Sequence, residues 1–151
     1  MVKPILSITL SNIDLVGKQR ARVTKNGTYT PKRTVVFEES IRNAAETVMQ
    51  ELNLDQFDGV ELGVLIGVRF GSGRRADMDN VAKSVLDGLQ QKTYRKQGYT
   101  SPGMYKSDNR VRSVIAVELA HHVEHPSITI TVYTHENLTT LLKGILPDAA
   151  I

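Results

Sequence analysis

Val60, Leu62, Val64, Ile66, Val68 and Phe70 alternate without a break, and Gly63 and Gly67 lie between them. A period of two over this length demands an extended chain with one apolar face, a strand laid on a core. Gly71-Ser72-Gly73 then ends the alternation. Downstream the apolar spacing becomes helical, through Ala82, Val85, Leu86 and Leu89. Asp79 and Asn80, both good N-cap types, mark the expected start of that helix. A sheet face this apolar must be buried, and helices of this kind are what cover it in mixed α/β folds.

The rest of the chain supplies the other elements. Residues 4–10 alternate through Leu6, Ile8 and Leu10 and predict a first strand. Ser11 to Arg33 reads as a polar, basic loop in which Asn26-Gly27 is the turn of a small hairpin. Phe37, Ile41, Ala44, Ala45, Val48 and Leu52 predict a helix from about Thr34 to Leu52. Gln90 to Ser107 keeps no period and reads as a long basic loop. Two further strands follow, Val111 to Leu119 and Ser127 to Thr134, the second with Ile128, Ile130 and Val132 inward. The tail, 135–151, has room for one short helix. The expected order is β-α-β-α-β-β. It describes a single mixed α+β domain over 1–151, with about four main strands in a mixed sheet and two principal helices.

At 151 residues the chain is long enough to bury a real core without staples. It contains no cysteine, which excludes disulfides, thiolate zinc sites and a cysteine nucleophile. It shows neither a secretion signal nor an apolar run able to span a bilayer, so a cytoplasmic protein with no membrane partner is expected. The net charge is only +3, but the charges are segregated. Lys3, Lys18, Arg20, Arg22, Lys25, Lys32 and Arg33 face a single Asp14 in the first 33 residues. Lys92, Arg95, Lys96, Lys106, Arg110 and Arg112 face a single Asp108 in residues 92–112. Between the two runs Glu38, Glu39, Glu46, Glu51, Asp55 and Asp58 make an acidic region. Basic arms of this kind suit a polyanion such as nucleic acid.

The densest chemistry lies in residues 74–87. There Arg74, Arg75, Asp77, Asp79, Lys83 and Asp87 crowd together. Asp79, Lys83 and Asp87 recur every four residues and so line one helix face. Alone they would read as a solvated face with ordinary ion pairs. Asp77 adds a second carboxylate at the helix entrance. Crowded carboxylates call for a proton or a cation, and magnesium takes a few carboxylates plus phosphate oxygens. Asp108 is the best third candidate, if its strand lies beside the one ending at Phe70; by composition it suits a turn. His121, His122 and His125 lie in a strand connection and read as an exposed turn, not a zinc site. Gly67, Gly71 and Gly73 match no nucleotide-binding fingerprint.

The stretch Arg75-Ala76-Asp77-Met78-Asp79-Asn80-Val81-Ala82-Lys83, with Asp87-Gly88-Leu89 and Ser107-Asp108-Asn109-Arg110-Val111, resembles the RusA-type Holliday-junction resolvases. These are crossover junction endodeoxyribonucleases. Gly17-Lys18-Gln19-Arg20-Ala21-Arg22 and Thr28-Tyr29-Thr30-Pro31 are similar to members as well. The resemblance implies a mixed α/β homodimer that binds four-way DNA junctions and nicks two strands symmetrically in recombination and repair. Magnesium, or manganese in its place, would serve the reaction. Asp77, Asp79 and Asp108 match the essential acidic, metal-binding positions, and Lys83 the catalytic lysine. Asp87 and Asn80 stand as supporting positions. Lys18, Arg20, Arg22, Lys32, Arg74, Arg75, Arg95 and Lys96 are the residues expected against DNA.

Three departures accompany the resemblance. Ser107 replaces the first of two adjacent aspartates, Ala21 replaces a proline, and the segment between Asp87 and Asp108 is long. Two other functions fit the same residues: a non-catalytic branched-DNA-binding protein, and a metal-dependent nucleotide phosphohydrolase.

Overall fold

The structure is a computed structural model and describes residues 2–17 and 19–146. In chain order its elements are β1 (Leu6–Ser11), β2 (Arg22–Thr24), β3 (Gly27–Tyr29), α1 (Lys32–Glu51), β4 (Leu62–Arg69) and α2 (Met78–Leu89). They continue with β5 (Lys92–Tyr94), β6 (Tyr99–Ser101), a single 3-10 turn (Asp108–Arg110), β7 (Val111–Ala120), β8 (Ser127–Thr134) and α3 (His135–Leu142). The four longer strands form one mixed sheet in the order β1-β8-β4-β7. β4 runs antiparallel to β8 and parallel to β7, and β1 pairs antiparallel with β8.

The period of two explains the layering. Leu62, Val64, Ile66 and Val68 are fully buried, and the register sets Val64 beside Val132 and Ile66 beside Ile130. Ile8 meets Ile130 from the other side, so one face of the sheet is continuously apolar. Phe37, Ile41 and Ala45 of α1 and Val81, Val85 and Leu89 of α2 join it in one core. The short helix in the tail, α3, brings buried Leu138 over Gly63 on the opposite face.

The two main helices meet closely at Gly88, where an added Cβ would lie 2.9 Å from the Glu38 carbonyl oxygen and 2.9 Å from Ile41 Cβ. Gly88→Ala should therefore destabilise the fold by about 1–3 kcal/mol through overpacking, against the usual helix preference for alanine. Urea unfolding measures this directly. An unchanged or raised midpoint would show that the helices part without cost.

The long basic loop expected over 90–107 is instead structured. β5 and β6 pair antiparallel, and Arg95 and Lys96 sit at the exposed turn between them. Strands of three residues carry too few alternations to register as a period. Polar contacts from other elements anchor this hairpin. Glu39 of α1 accepts hydrogen bonds from Lys92 Nζ (2.8 Å), Tyr94 Oη (2.6 Å) and Arg42 Nη1 (2.7 Å), and the Ser101 hydroxyl donates to Glu46. Beyond it the chain packs under the end of α2: Met104 N donates to the Leu89 carbonyl (2.8 Å) and Tyr105 Oη to the Leu86 carbonyl (2.6 Å).

Other boundaries move by a few residues. β1 runs on to Ser11, α1 begins at Lys32, and α2 begins at Met78 with Asp77 as its N-cap. The expected start is Asp79-Asn80, both capping types; Asp77, of the same type, takes the N-cap position two residues earlier. Lys18 and the last five residues of the tail lie outside the described residues.

Candidate functional site

At the end of β4 the chain passes through Gly71-Ser72-Gly73 and reaches α2 in an extended conformation. Asp77 is the N-cap with φ −66° and ψ 136°, yet its side chain makes no capping hydrogen bond; Asp79 follows in the first turn. Lys83 lies four residues on, on the same exposed face. Among the described residues, no ion pair or hydrogen bond engages the side chains of Asp77, Asp79 or Lys83. Both carboxylates are exposed, and the helix N-terminus favours negative charge there.

The N-terminal loop lies against this helix entrance. An added Cβ on Gly17 would come within 2.7 Å of Asn80 Cβ and 3.4 Å of Ala76 Cβ, so the approach needs a residue without a side chain. Asn80 is thus a packing surface for the loop. Between the two segments opens a cleft of about 510 Å³ whose walls include Gln19, Arg33, Arg74, Arg75 and Asp77. The first basic run and the carboxylate cluster, distant in sequence, face one another here.

The arginines differ in what else they hold. Arg33 grips Asp14 with two hydrogen bonds of 2.9 Å, and this pairing lowers the Asp14 carboxyl below its ordinary range. Arg75 Nη1 lies 3.0 Å from both carboxylate oxygens of Glu118 on β7. Arg74 has no partner among the described residues. Arg20 and Arg22 are exposed near and on the β2–β3 hairpin, and Lys32 is the exposed first residue of α1.

Sequence reasoning missed Glu118. It lines a second small pocket with Asp77, Arg75 and Phe70, because the parallel register sets it beside Val68 at the end of β4. Only that register could have singled it out. The histidine group behaves as a strand connection: His121 and His122 stack at 3.6 Å, and His122 and His125 are exposed.

Asp108 does not join Asp77 and Asp79. Its strand does lie beside β4, as expected, but in parallel, with Val111 opposite Leu62. Asp108 therefore sits where β4 begins and α2 ends. Its backbone N–H donates to Gln90 Oε1 (3.1 Å), and Gln90 is the C-cap of α2. Asp77 and Asp108 bracket a helix of 12 residues, roughly 18 Å at 1.5 Å per residue. Asp87 belongs to the same far end: burial first, then the charges of Asp108 and Asp87, raise the Tyr105 hydroxyl pKa. Among the described residues no three acidic or histidine side chains converge on a metal position. The three-carboxylate set implied for magnesium does not fit within one chain.

The family model for endodeoxyribonuclease RusA matches residues 12–133. This chain belongs to the RusA family. The matched span includes the Gly17 loop, both hairpins, all of α2 and Asp108. RusA membership makes the chain an endodeoxyribonuclease, a hydrolase of DNA phosphodiester bonds, and agrees with its mixed four-stranded sheet. No curated protein matches the chain. Among the described residues no helix is long and apolar enough to cross a membrane.

Proposed function

We propose that this RusA-family chain is a homodimeric, magnesium-dependent endonuclease of the cytoplasm that resolves four-way DNA junctions by symmetric nicking during recombination and repair. One observation carries the reading: Asp77 and Asp79 stand unpartnered at the entrance of α2, with Lys83 one turn on, beside an arginine-lined cleft. Carboxylates left without protein partners next to arginines suit a phosphate and a hard cation together, manganese substituting for magnesium. Magnesium supplies charge neutralisation at phosphate oxygens, and Asp77 and Asp79 are the residues to hold it.

The remaining roles fall to side chains already placed. Lys83 presents a fixed positive charge toward the reacting phosphate, where charge develops in the transition state. Arg74 stands at the cleft, with Arg20 and Arg22 on one arm and Arg95 and Lys96 on the other. Such contacts to backbone phosphates set position and affinity, not sequence.

A synthetic junction with each arm labelled tests the proposal. Magnesium should yield two symmetric nicks, chelation should abolish them, and linear duplex should survive. A junction left uncut in both magnesium and manganese overturns it.

A further inference from the structure

We infer that Glu118 is a positioning residue of the nuclease: it holds Arg75 by one nitrogen, so that the rest of that guanidinium stands beside Asp77 as a clamp for a DNA phosphate. The inference rests on the nuclease reading above and starts from a carboxylate in an apolar row. Val114, Ala116 and Glu118 follow the register of Val64, Ile66 and Val68, and alternation puts them on the sheet face that carries the core. The last place in that row holds a charge instead of an aliphatic side chain. Immediately after it the ladder slips by one residue, since Val68 faces Glu118 but Arg69 faces Ala120. Bulges at sheet edges re-aim side chains. Here the carboxylate meets Arg75 Nη1, 3.0 Å from each oxygen.

The segment that receives this contact has little else to hold it. The chain leaves the sheet after Phe70, and α2 begins with the bond from Val81 N to the Asp77 carbonyl. Among the described residues, no backbone hydrogen bond engages residues 71–76. Two side-chain links tether the segment: Ser72 Oγ lies 3.3 Å from His122 Nδ1, and Arg75 is bound to Glu118. Gly73, at φ 113°, sits between them, so the second link sets the course toward Asp77. Arg75 and Asp77 are two apart in an extended stretch, and their side chains leave on the same side. With Glu118, Phe70 and Met78 they line one pocket of about 290 Å³.

The geometry of the fork gives the contact its use. A guanidinium can grip an oxyanion with two parallel N–H groups. Glu118 takes Nη1 alone, and the edge formed by Nε and Nη2 has no partner among the described residues. That edge suits two oxygens of a phosphate, and Glu118 sets where it stands relative to Asp77. A lone carboxylate at such a site would repel DNA. Bound to Arg75, its charge is offset and its role is geometric. Both partners are partly exposed, so the pair adds little to stability, and its effect falls on the reaction.

A double-mutant cycle on single-turnover nicking of a synthetic four-way junction tests the role. Glu118→Ala should slow nicking by roughly 10–100-fold, the scale of a small misplacement at a reacting centre, with the melting temperature unchanged. Arg75→Ala should slow it at least as much. Adding Glu118→Ala to Arg75→Ala should slow it no further, because one residue acts through the other. Glu118→Gln keeps an acceptor for Nη1 and should regain most of the rate, which the loss of a negative charge by itself would not allow. Nicking by Glu118→Ala at the unsubstituted rate overturns the proposal. So do two losses that multiply, which would give Glu118 a direct part of its own, and a slow Glu118→Ala whose melting temperature falls in step.

Limited trypsin digestion reads the tether without any activity. Cleavage after Arg75 should quicken in Glu118→Ala and not in Glu118→Gln, and equal cleavage in all three proteins overturns the hold on Arg75. If the unsubstituted chain nicks nothing, the nuclease reading fails and takes the role in the reaction with it, while digestion still decides whether Glu118 holds the segment.

Discussion

Asp77→Asn should bind a four-way junction with nearly unchanged affinity and nick it on the order of 10²–10³ times more slowly. Structure explains why the two effects separate. Asp77 is exposed, and its side chain makes no capping hydrogen bond, so removing its charge leaves the fold intact. Asparagine is also an equally good N-cap type. In the proposed function, affinity for the junction comes instead from arginine and lysine contacts to phosphates. Asp79→Asn should behave alike, since it occupies the first turn of the same helix. Gel-shift titration paired with single-turnover nicking measures both quantities on one preparation. Cutting at the unsubstituted rate by Asp77→Asn would remove this residue from the chemistry.

Glu39→Ala should cost about 3 kcal/mol of stability, the lower end of the range for leaving a buried charge unpaired. Arg42, whose side chain is 4% exposed, would lose its carboxylate and keep its hydrogen bond to the Asp87 carbonyl. The midpoint of thermal unfolding should fall by roughly 6–12 °C for a domain of this size. Lys92 and Tyr94 would lose their shared acceptor, so protease cleavage near Arg95 should rise as the hairpin loosens.

The same residue predicts a pH dependence. Partial burial alone would raise the Glu39 carboxyl, but hydrogen bonds from Lys92 and Tyr94 and the charge of Arg42 outweigh it and hold the carboxyl below its ordinary 4.5. Tyr94, pushed up to about 12 by burial and its bond to Glu39, remains a donor at neutral pH. A depressed carboxyl stabilises the fold fully above its unfolded value, and that contribution is lost as pH falls through the folded one. The stability gap between Glu39→Ala and the unsubstituted chain should therefore narrow as pH drops below 4.5. Urea midpoints at pH 7 and pH 4 check this, and a gap that widens in acid would exclude Glu39 as the linked group.

The long alternating segment around β4 was legible in sequence because a strand buried on one face must repeat every two residues. Both principal helices were legible for the same kind of reason, with a period set by backbone geometry. The β5–β6 hairpin was not, since its hold on the protein is Glu39, some 53 residues earlier than Lys92. Periodicity carries no information about a contact of that separation.

The candidate site divides along the same line. Local order alone determined that Asp77 stands at the entrance of a helix and that Asp79 and Lys83 share one of its faces, since helix geometry relates near neighbours. Sequence also determined which face of each main strand is buried and that two basic runs flank the cluster. Tertiary structure decided where those pieces meet. It brought the Gly17 loop and its cleft to the carboxylates, recruited Glu118 to Arg75, and sent Asp108 to the far end of α2. The physical reason is strand direction: β7 runs parallel to β4, so residues before it lie beside the start of β4, and Asp77 follows the end.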